Sequence, residues 1–150
     1  MVPAPWASYD GTGKVGIAVK KTILLVEDEA VTALGLEKLL LGWGYDVLGP
    51  CLSGEEALGM TEYKRPDLAL LDVRLASMMS GLYLAMRLRE KYGVSTVFLT
   101  GQNTEEVRQV ARRAQAVAFL VKPVADQDLR KTIESALETH PRFDPGPALD

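Results

Sequence analysis

Residues 67–72 read Asp67-Leu68-Ala69-Leu70-Leu71-Asp72, an apolar run held between two carboxylates. A run this short, apolar at every position, suits a strand buried on both faces of a parallel sheet, so a strand is predicted over Leu68–Leu71. Toward the N-terminus, Thr22-Ile23-Leu24-Leu25-Val26-Glu27 has the same build and also ends in acid. Toward the C-terminus, Thr96–Leu99 and Val117–Val121 repeat it, and Tyr45–Gly49 makes a fifth strand.

The segments between these runs are helical in composition. Glu29–Leu41 is stopped by Gly42 and Gly44. Ser53, with Glu56 three residues on, forms a capping box that opens a helix running to about Tyr63. Leu82–Lys91 and Thr104–Ala114 follow, the latter with Val107, Val110, Ala111 and Ala114 at helical spacing. Asp126 to about Glu138 closes the series with Leu129, Ile133, Ala136 and Leu137 on one face. Strands alternating with helices predict an α/β domain: a doubly wound, flavodoxin-like parallel sheet of five strands covered on both faces. Its crossovers are right-handed.

Composition agrees. The 150 residues suit one ordinary domain, and 47% apolar with 25% charged residues gives a real core. The 17 Lys and Arg against 20 Asp and Glu leave a net charge of −3. A mildly acidic domain of this kind is not expected to grip nucleic acid directly. The longest apolar run, Ala116–Val121, is far too short for a membrane span. No secretory leader opens the chain, which makes the cytoplasm the expected location. Cys51 has no second cysteine to pair with, and one histidine provides no His/Cys metal set. Prolines 3, 5, 141, 145 and 147 gather at the ends. The expected division is therefore an N-terminal extension over 1–20, a domain over 21–139 and a tail over 140–150. Trp6 and Tyr9 packing back onto the domain is the alternative for the first segment.

Parallel sheets bind ligands at the carboxyl ends of their strands. Those ends carry Glu27-Asp28-Glu29, Asp72, Thr100-Gly101 and Lys122-Pro123. Grouped carboxylates suit Mg²⁺, and an ammonium with a hydroxyl suits phosphoryl oxygens. Asp72 would lie at the focus as a nucleophile toward phosphorus.

This ordered set resembles the receiver domain of bacterial two-component response regulators, in the stand-alone form of the chemotaxis regulators, over about residues 21–139. The resemblance implies the strand order 2-1-3-4-5 and a phosphorylation-dependent switch rather than an enzyme. It implies Asp72 as phosphoacceptor, with Asp28 a direct Mg²⁺ ligand, Glu27 acting mainly through water, and the Arg74 carbonyl another ligand. Thr100 and Lys122 would bind the phosphoryl group, Pro123 would follow a cis peptide, and Phe119 would be the aromatic that turns inward on activation. The implied partners are a histidine kinase or histidine phosphotransfer protein and a downstream protein target. The segment from Val73 to Gly81 departs from the family pattern, lacking its proline and carrying one extra residue. That departure predicts a more mobile loop.

Simpler readings stand beside these. Acidic residues opening a helix are ordinary dipole partners, Phe119 is at least a core residue, and Arg108, Arg112 and Arg113 are a solvated helix face. The first helix is apolar over more than half its circumference. That predicts either cover by the N-terminal extension, or a docking or homodimer surface around Leu36 and Leu40. A receiver cut from a larger transcription factor or hybrid kinase is the alternative to a stand-alone protein. A phosphatase on a similar fold is disfavoured, because the Asp-x-Asp expected after the first strand is Glu-Asp-Glu here.

Overall fold

The computed structural model describes residues 7–9, 15–17, 20–73 and 78–139. Its main sheet is built from β1 (Thr22–Glu27), β2 (Asp46–Cys51), β3 (Leu68–Val73), β4 (Thr96–Thr100) and β5 (Ala118–Val121). The helices are α1 (Ala30–Gly42), α2 (Gly54–Tyr63), α3 (Met78–Tyr92), α4 (Glu105–Arg113) and α5 (Asp126–Thr139). The strands are parallel and lie in the order β2-β1-β3-β4-β5.

Side chains alternate across the sheet into two cores. Leu24, Ala69, Leu71 and Phe98 pack against α2, α3 and α4 through Ala57, Leu84, Leu88 and Val107. Ile23, Leu25, Leu70 and Leu99 pack against α1 and α5 through Leu36, Leu40, Leu129 and Ile133. All six residues of β1 are buried, which is why that stretch carries no polar alternation.

Local signals set most of the helix ends. The Ser53 hydroxyl accepts from Glu56 N at 3.1 Å, the expected cap, and Glu56 Oε2 reaches back one residue further than a capping box does, accepting from Leu52 N at 3.0 Å. Thr104 caps α4 by accepting from Val107 N, with Glu105 and Glu106 in its first turn and Arg112 and Arg113 in its last. Beyond α1, Gly44 takes φ +94°, a left-handed conformation that ends the helix.

Several boundaries differ from the prediction. β2 runs on to Cys51 through a cis Gly49–Pro50 bond, and its register with β1 shifts between Leu24 and Val26. An edge strand tolerates proline because one side of it has no ladder to lose. Gly49 has φ +103°, and a Cβ there would lie 2.6 Å from Cys51 N and 2.7 Å from Leu25 O. Glycine is required at that position. α3 starts at Met78, four residues before the predicted Leu82, because Gly81 in its first turn weakens the helical signal.

The N-terminal extension contains two short strands that the sequence did not signal. Ala7–Tyr9 and Val15–Ile17 pair antiparallel, with Ser8 opposite Gly16. Strands of three residues are too short to show a period. Trp6, the side chain of Tyr9, residues 74–77 of the segment predicted to be mobile and the tail from 140 lie outside the described residues, while residues 78–81 of that segment open α3. Among the described residues, no helix is long and apolar enough to cross a membrane.

Candidate functional site

The parallel register brings the predicted residues to one edge. Glu27 is the register partner of Asp72, Asp72 of Leu99, Val73 of Thr100, and Thr100 of Val121. Lys122 follows directly, its N–H donating to Thr100 O at 2.7 Å. The strand alternation puts Glu27, Asp72 and Lys122 in phase with the residues that face α1 and α5. Thr100 is in phase with Phe98 and Phe119, which face α2–α4. Two clefts open on Asp72 at the rim. One, of about 430 Å³, lies between α1 and α5 beside Lys122; the other, of about 230 Å³, lies between α2 and α3 beside Asp28.

Asp72 is 5% exposed, and its Oδ1 lies 2.6 Å from Lys122 Nζ. Glu27 is 2% exposed, and its Oε1 accepts from Glu29 N at 2.8 Å. Glu27 Oε2 and Asp72 Oδ2 are both buried without a hydrogen-bond partner. Burial first, and then the neighbouring Asp72 carboxyl, push the Glu27 carboxyl up to about 8. Two buried carboxyls on adjacent strands, which can pair with each other only by sharing a proton, fit a hard divalent cation that replaces that proton and keeps several waters. They supply oxygen ligands and leave the remaining positions open.

Not every predicted residue converges in the same way. Asp28 is exposed and lines the 230 Å³ cleft with Asp72. It lies one residue beyond the strand and out of phase with Glu27. Among the described residues, no three Asp, Glu, His or Cys side chains form a closed metal-binding group. Arg74 lies outside the described residues. Thr100 is fully buried, but its hydroxyl engages its own loop rather than Asp72: Oγ1 accepts from Gln102 N at 3.2 Å and lies 3.4 Å from Gln102 O. Gln102 was not singled out from the sequence. The Thr-Gly-Gln turn, in which a hydroxyl bonds the backbone two residues on, was the available signal. Phe119 is half-buried against the α2–α4 core, opposite Phe98. Lys122–Pro123 is cis, as the resemblance implied.

One expectation is overturned. Leu36 and Leu40 are 8% and 0% exposed and belong to the α1–α5 core, so they form no docking surface. The outward residues of α1 are Val31, Leu34 and Leu41. Counting apolar residues showed that the surplus existed and did not show where it points. Arg108 and Arg112 pair with Glu105 on the surface, as a solvated face does.

The model of the response regulator receiver domain matches residues 23–134. The chain belongs to the response regulator receiver family. Its sequence is 34% identical over 120 residues to the transcriptional regulatory protein PdtaR of Mycobacterium tuberculosis, covering 80% of this chain and 58% of that one. It is 37% identical over 117 residues to the positive alginate biosynthesis regulatory protein of Pseudomonas aeruginosa, covering 76% and 46%. The chain therefore spans about half the length of these curated relatives. Among solved structures, it resembles the signal receiver domain of a modulated diguanylate cyclase from Desulfovibrio desulfuricans, with TM-score 0.73 and 35% identity over 81% of this chain and 97% of that one. Receiver domains are two-component signalling domains rather than enzymes of the usual kind, and they bind Mg²⁺ at an acidic pocket. They interact with histidine kinases or phosphotransfer proteins and with downstream effectors.

Proposed function

We propose that this receiver is a phosphorylation-dependent switch that accepts a phosphoryl group on Asp72 from a phosphohistidine of a histidine kinase or phosphotransfer protein. The observation that carries the reading is the buried Asp72 carboxylate, paired with Lys122 at 2.6 Å beside Glu27. An Asp72 oxygen attacks phosphorus and the P–N bond breaks. The electron pair leaves with the imidazole, which takes up a proton. Lys122 pairs with Asp72 and then reaches the phosphoryl oxygens, for which its partly exposed ammonium has room. Asp28, Asp72 and the Arg74 carbonyl, with Glu27 mainly through water, would hold Mg²⁺, which would supply neutralisation of the phosphoryl charge. The Thr100 hydroxyl turns from Gln102 to the phosphoryl group, and Phe119, diagonal to it on the same sheet face, follows.

The receiver unit is assigned to residues 21–139, between an extension over 1–20 and a tail over 140–150, and acts in the cytoplasm. Its output is a change of affinity for a protein target. The test is incubation with acetyl phosphate and Mg²⁺ followed by intact mass. One added phosphoryl group, absent from Asp72→Asn, is expected, and full labelling of Asp72→Asn would overturn the reading. The coverage of the curated relatives favours a second reading, in which this receiver is one part of a longer regulator.

A further inference from the structure

α1 carries two apolar stripes, and the sheet takes only one of them. Ala33, Leu36 and Leu40 face inward and are buried. On the opposite side Val31, Leu34 and Leu41 are 81%, 50% and 52% exposed, and Lys38 is exposed among them. One stripe is all that packing on a sheet requires. The residues of the second fall at 31, 34, 38 and 41, the alternating three- and four-residue spacing of a helix-pairing seam.

The composition of the seam is as definite as its spacing. One set of alternate positions holds Val31 and Lys38, and the other holds Leu34 and Leu41. A β-branched residue followed by leucine in this order favours two parallel helices, and a single lysine in the series fixes the register at some cost in stability. Glu37 and Lys38 are the only charges in α1, and among the described residues neither joins an ion pair. Gly35 and Gly42 flank the seam, and a Cβ at either would meet nothing within 4 Å.

Charge selects both the occupant and its direction. Helical spacing puts Glu37 on one flank of the seam and Lys38, Gly35 and Gly42 on the other. A twofold that sets two copies of α1 antiparallel brings each flank against itself, so that Glu37 meets Glu37. A twofold that sets them parallel brings opposite flanks together, so that Glu37 of each copy meets Lys38 of the other. Gly42 places no side chain in the way. A foreign helix of one charge sign would satisfy Glu37 or Lys38 and oppose the other, whereas a second copy supplies both. α1 is already folded on its sheet, so pairing carries no cost of helix formation.

We propose that this chain forms a homodimer by parallel pairing of α1 with α1 of a second copy. Val31, Leu34 and Leu41 each meet their own counterpart, and Glu37 of each copy pairs with Lys38 of the other. α1 starts beside the acidic edge, so the two edges open side by side in the same direction. The pairing does not depend on phosphorylation of Asp72.

The test is sedimentation equilibrium of the full chain over a concentration series. One helix pair is a small interface, so a reversible monomer–dimer equilibrium is expected. Leu34→Glu, at a half-exposed site, should leave the fold intact and weaken the dimer about tenfold or more. Glu37→Lys and Lys38→Glu should each weaken it severalfold, and the two variants mixed should associate with each other. Glu37→Gln should also weaken it; tightening would mean antiparallel helices and would overturn the proposal. A dimer unchanged in Leu34→Glu would lie on another face and would overturn it too. So would a monomer at every concentration. If Leu34→Glu then shifted the amide resonances of Ser8 and Gly16, the stripe would belong to the chain's own N-terminal hairpin. Absence of phosphorylation on Asp72 would leave the dimer standing and would count only against the phosphoacceptor reading.

Discussion

Lys122 Nζ sits 2.6 Å from Asp72 Oδ1, joining an ammonium that is 36% exposed to a carboxylate that is 1% exposed. The pair is unequal: the acid has no water to fall back on, and the base does. Removing the base strands a buried charge, whereas removing the acid releases a lysine into solvent. Lys122→Ala is therefore expected to cost about 1–2 kcal/mol, below the range for fully buried pairs because Lys122 is partly solvated. Asp72→Asn should cost less. Urea denaturation of both single variants and the double variant reads the coupling directly, and additive effects would refute it.

Glu27 gives the pH dependence its sign. Its carboxyl is raised from 4.5 to about 8 by burial, so the folded state holds a proton that the unfolded chain releases. In metal-free buffer this contribution to stability is fully present below about pH 4.5 and is lost as the pH rises toward 8. Glu27→Gln should flatten that slope in denaturation curves at pH 5, 6.5 and 8. Divalent cation binding should release a proton near pH 7, which calorimetry in two buffers of different ionisation enthalpy measures. An unchanged slope in Glu27→Gln would exclude Glu27 as the source.

Thr100 and Phe119 should respond together. The Thr100 hydroxyl is now committed to Gln102, and a phosphoryl group must outcompete that bond. Thr100→Ala is expected to take up phosphate normally and lose the Phe119 ring shift seen on phosphorylation of the parent protein. Aromatic resonances check this, and a shift that survives in Thr100→Ala would break the link.

On α1, direction decides the outcome. Leu40→Ala should destabilise by about 2–5 kcal/mol, as loss of a fully buried leucine does. Val31→Glu lies at a site 81% exposed and should leave the melting temperature within a few degrees. Val31 stands in the first turn of α1, next to the acidic edge. Val31→Glu should therefore slow transfer from a cognate protein donor while sparing acetyl phosphate, and equal slowing of both donors would refute a docking role.

Cys51 offers a check on the core. It is fully buried and its thiol is pushed up to about 11, first by burial and then by Glu56. A thiol reagent at pH 8 should leave the native protein unmodified and label the chain stoichiometrically in denaturant.

The central strands were legible because burial on both faces leaves an unmistakable run, as in Thr22–Glu27 and Leu68–Leu71. The focus on Asp72 was legible for the same reason: an acid directly after such a run has few places to be. What escaped was directional or very short. The outward turn of Val31 and the inward turn of Leu36 depend on how α1 sits on the sheet, and α1 is apolar over more than half its circumference. The hairpin of Ala7–Tyr9 and Val15–Ile17 is shorter than any period. The extension of β2 through Pro50 reads as a break until its place at the sheet edge is known. Thr100's attachment to Gln102 is a local choice of the loop, and the resemblance pointed it toward the phosphoryl group instead.

The sheet separates acid from hydroxyl: Glu27, Asp72 and Lys122 lie in phase with one face, and Thr100 and Phe119 with the other. A barrier one backbone thick stands between the helices beside the acids and those beside the aromatic. Substitutions that retune α1 and α5 therefore meet different neighbours from those that retune α3 and α4. The two sides of the molecule are free to diversify at separate rates, and the few residues at the shared rim are the only ones answerable to both.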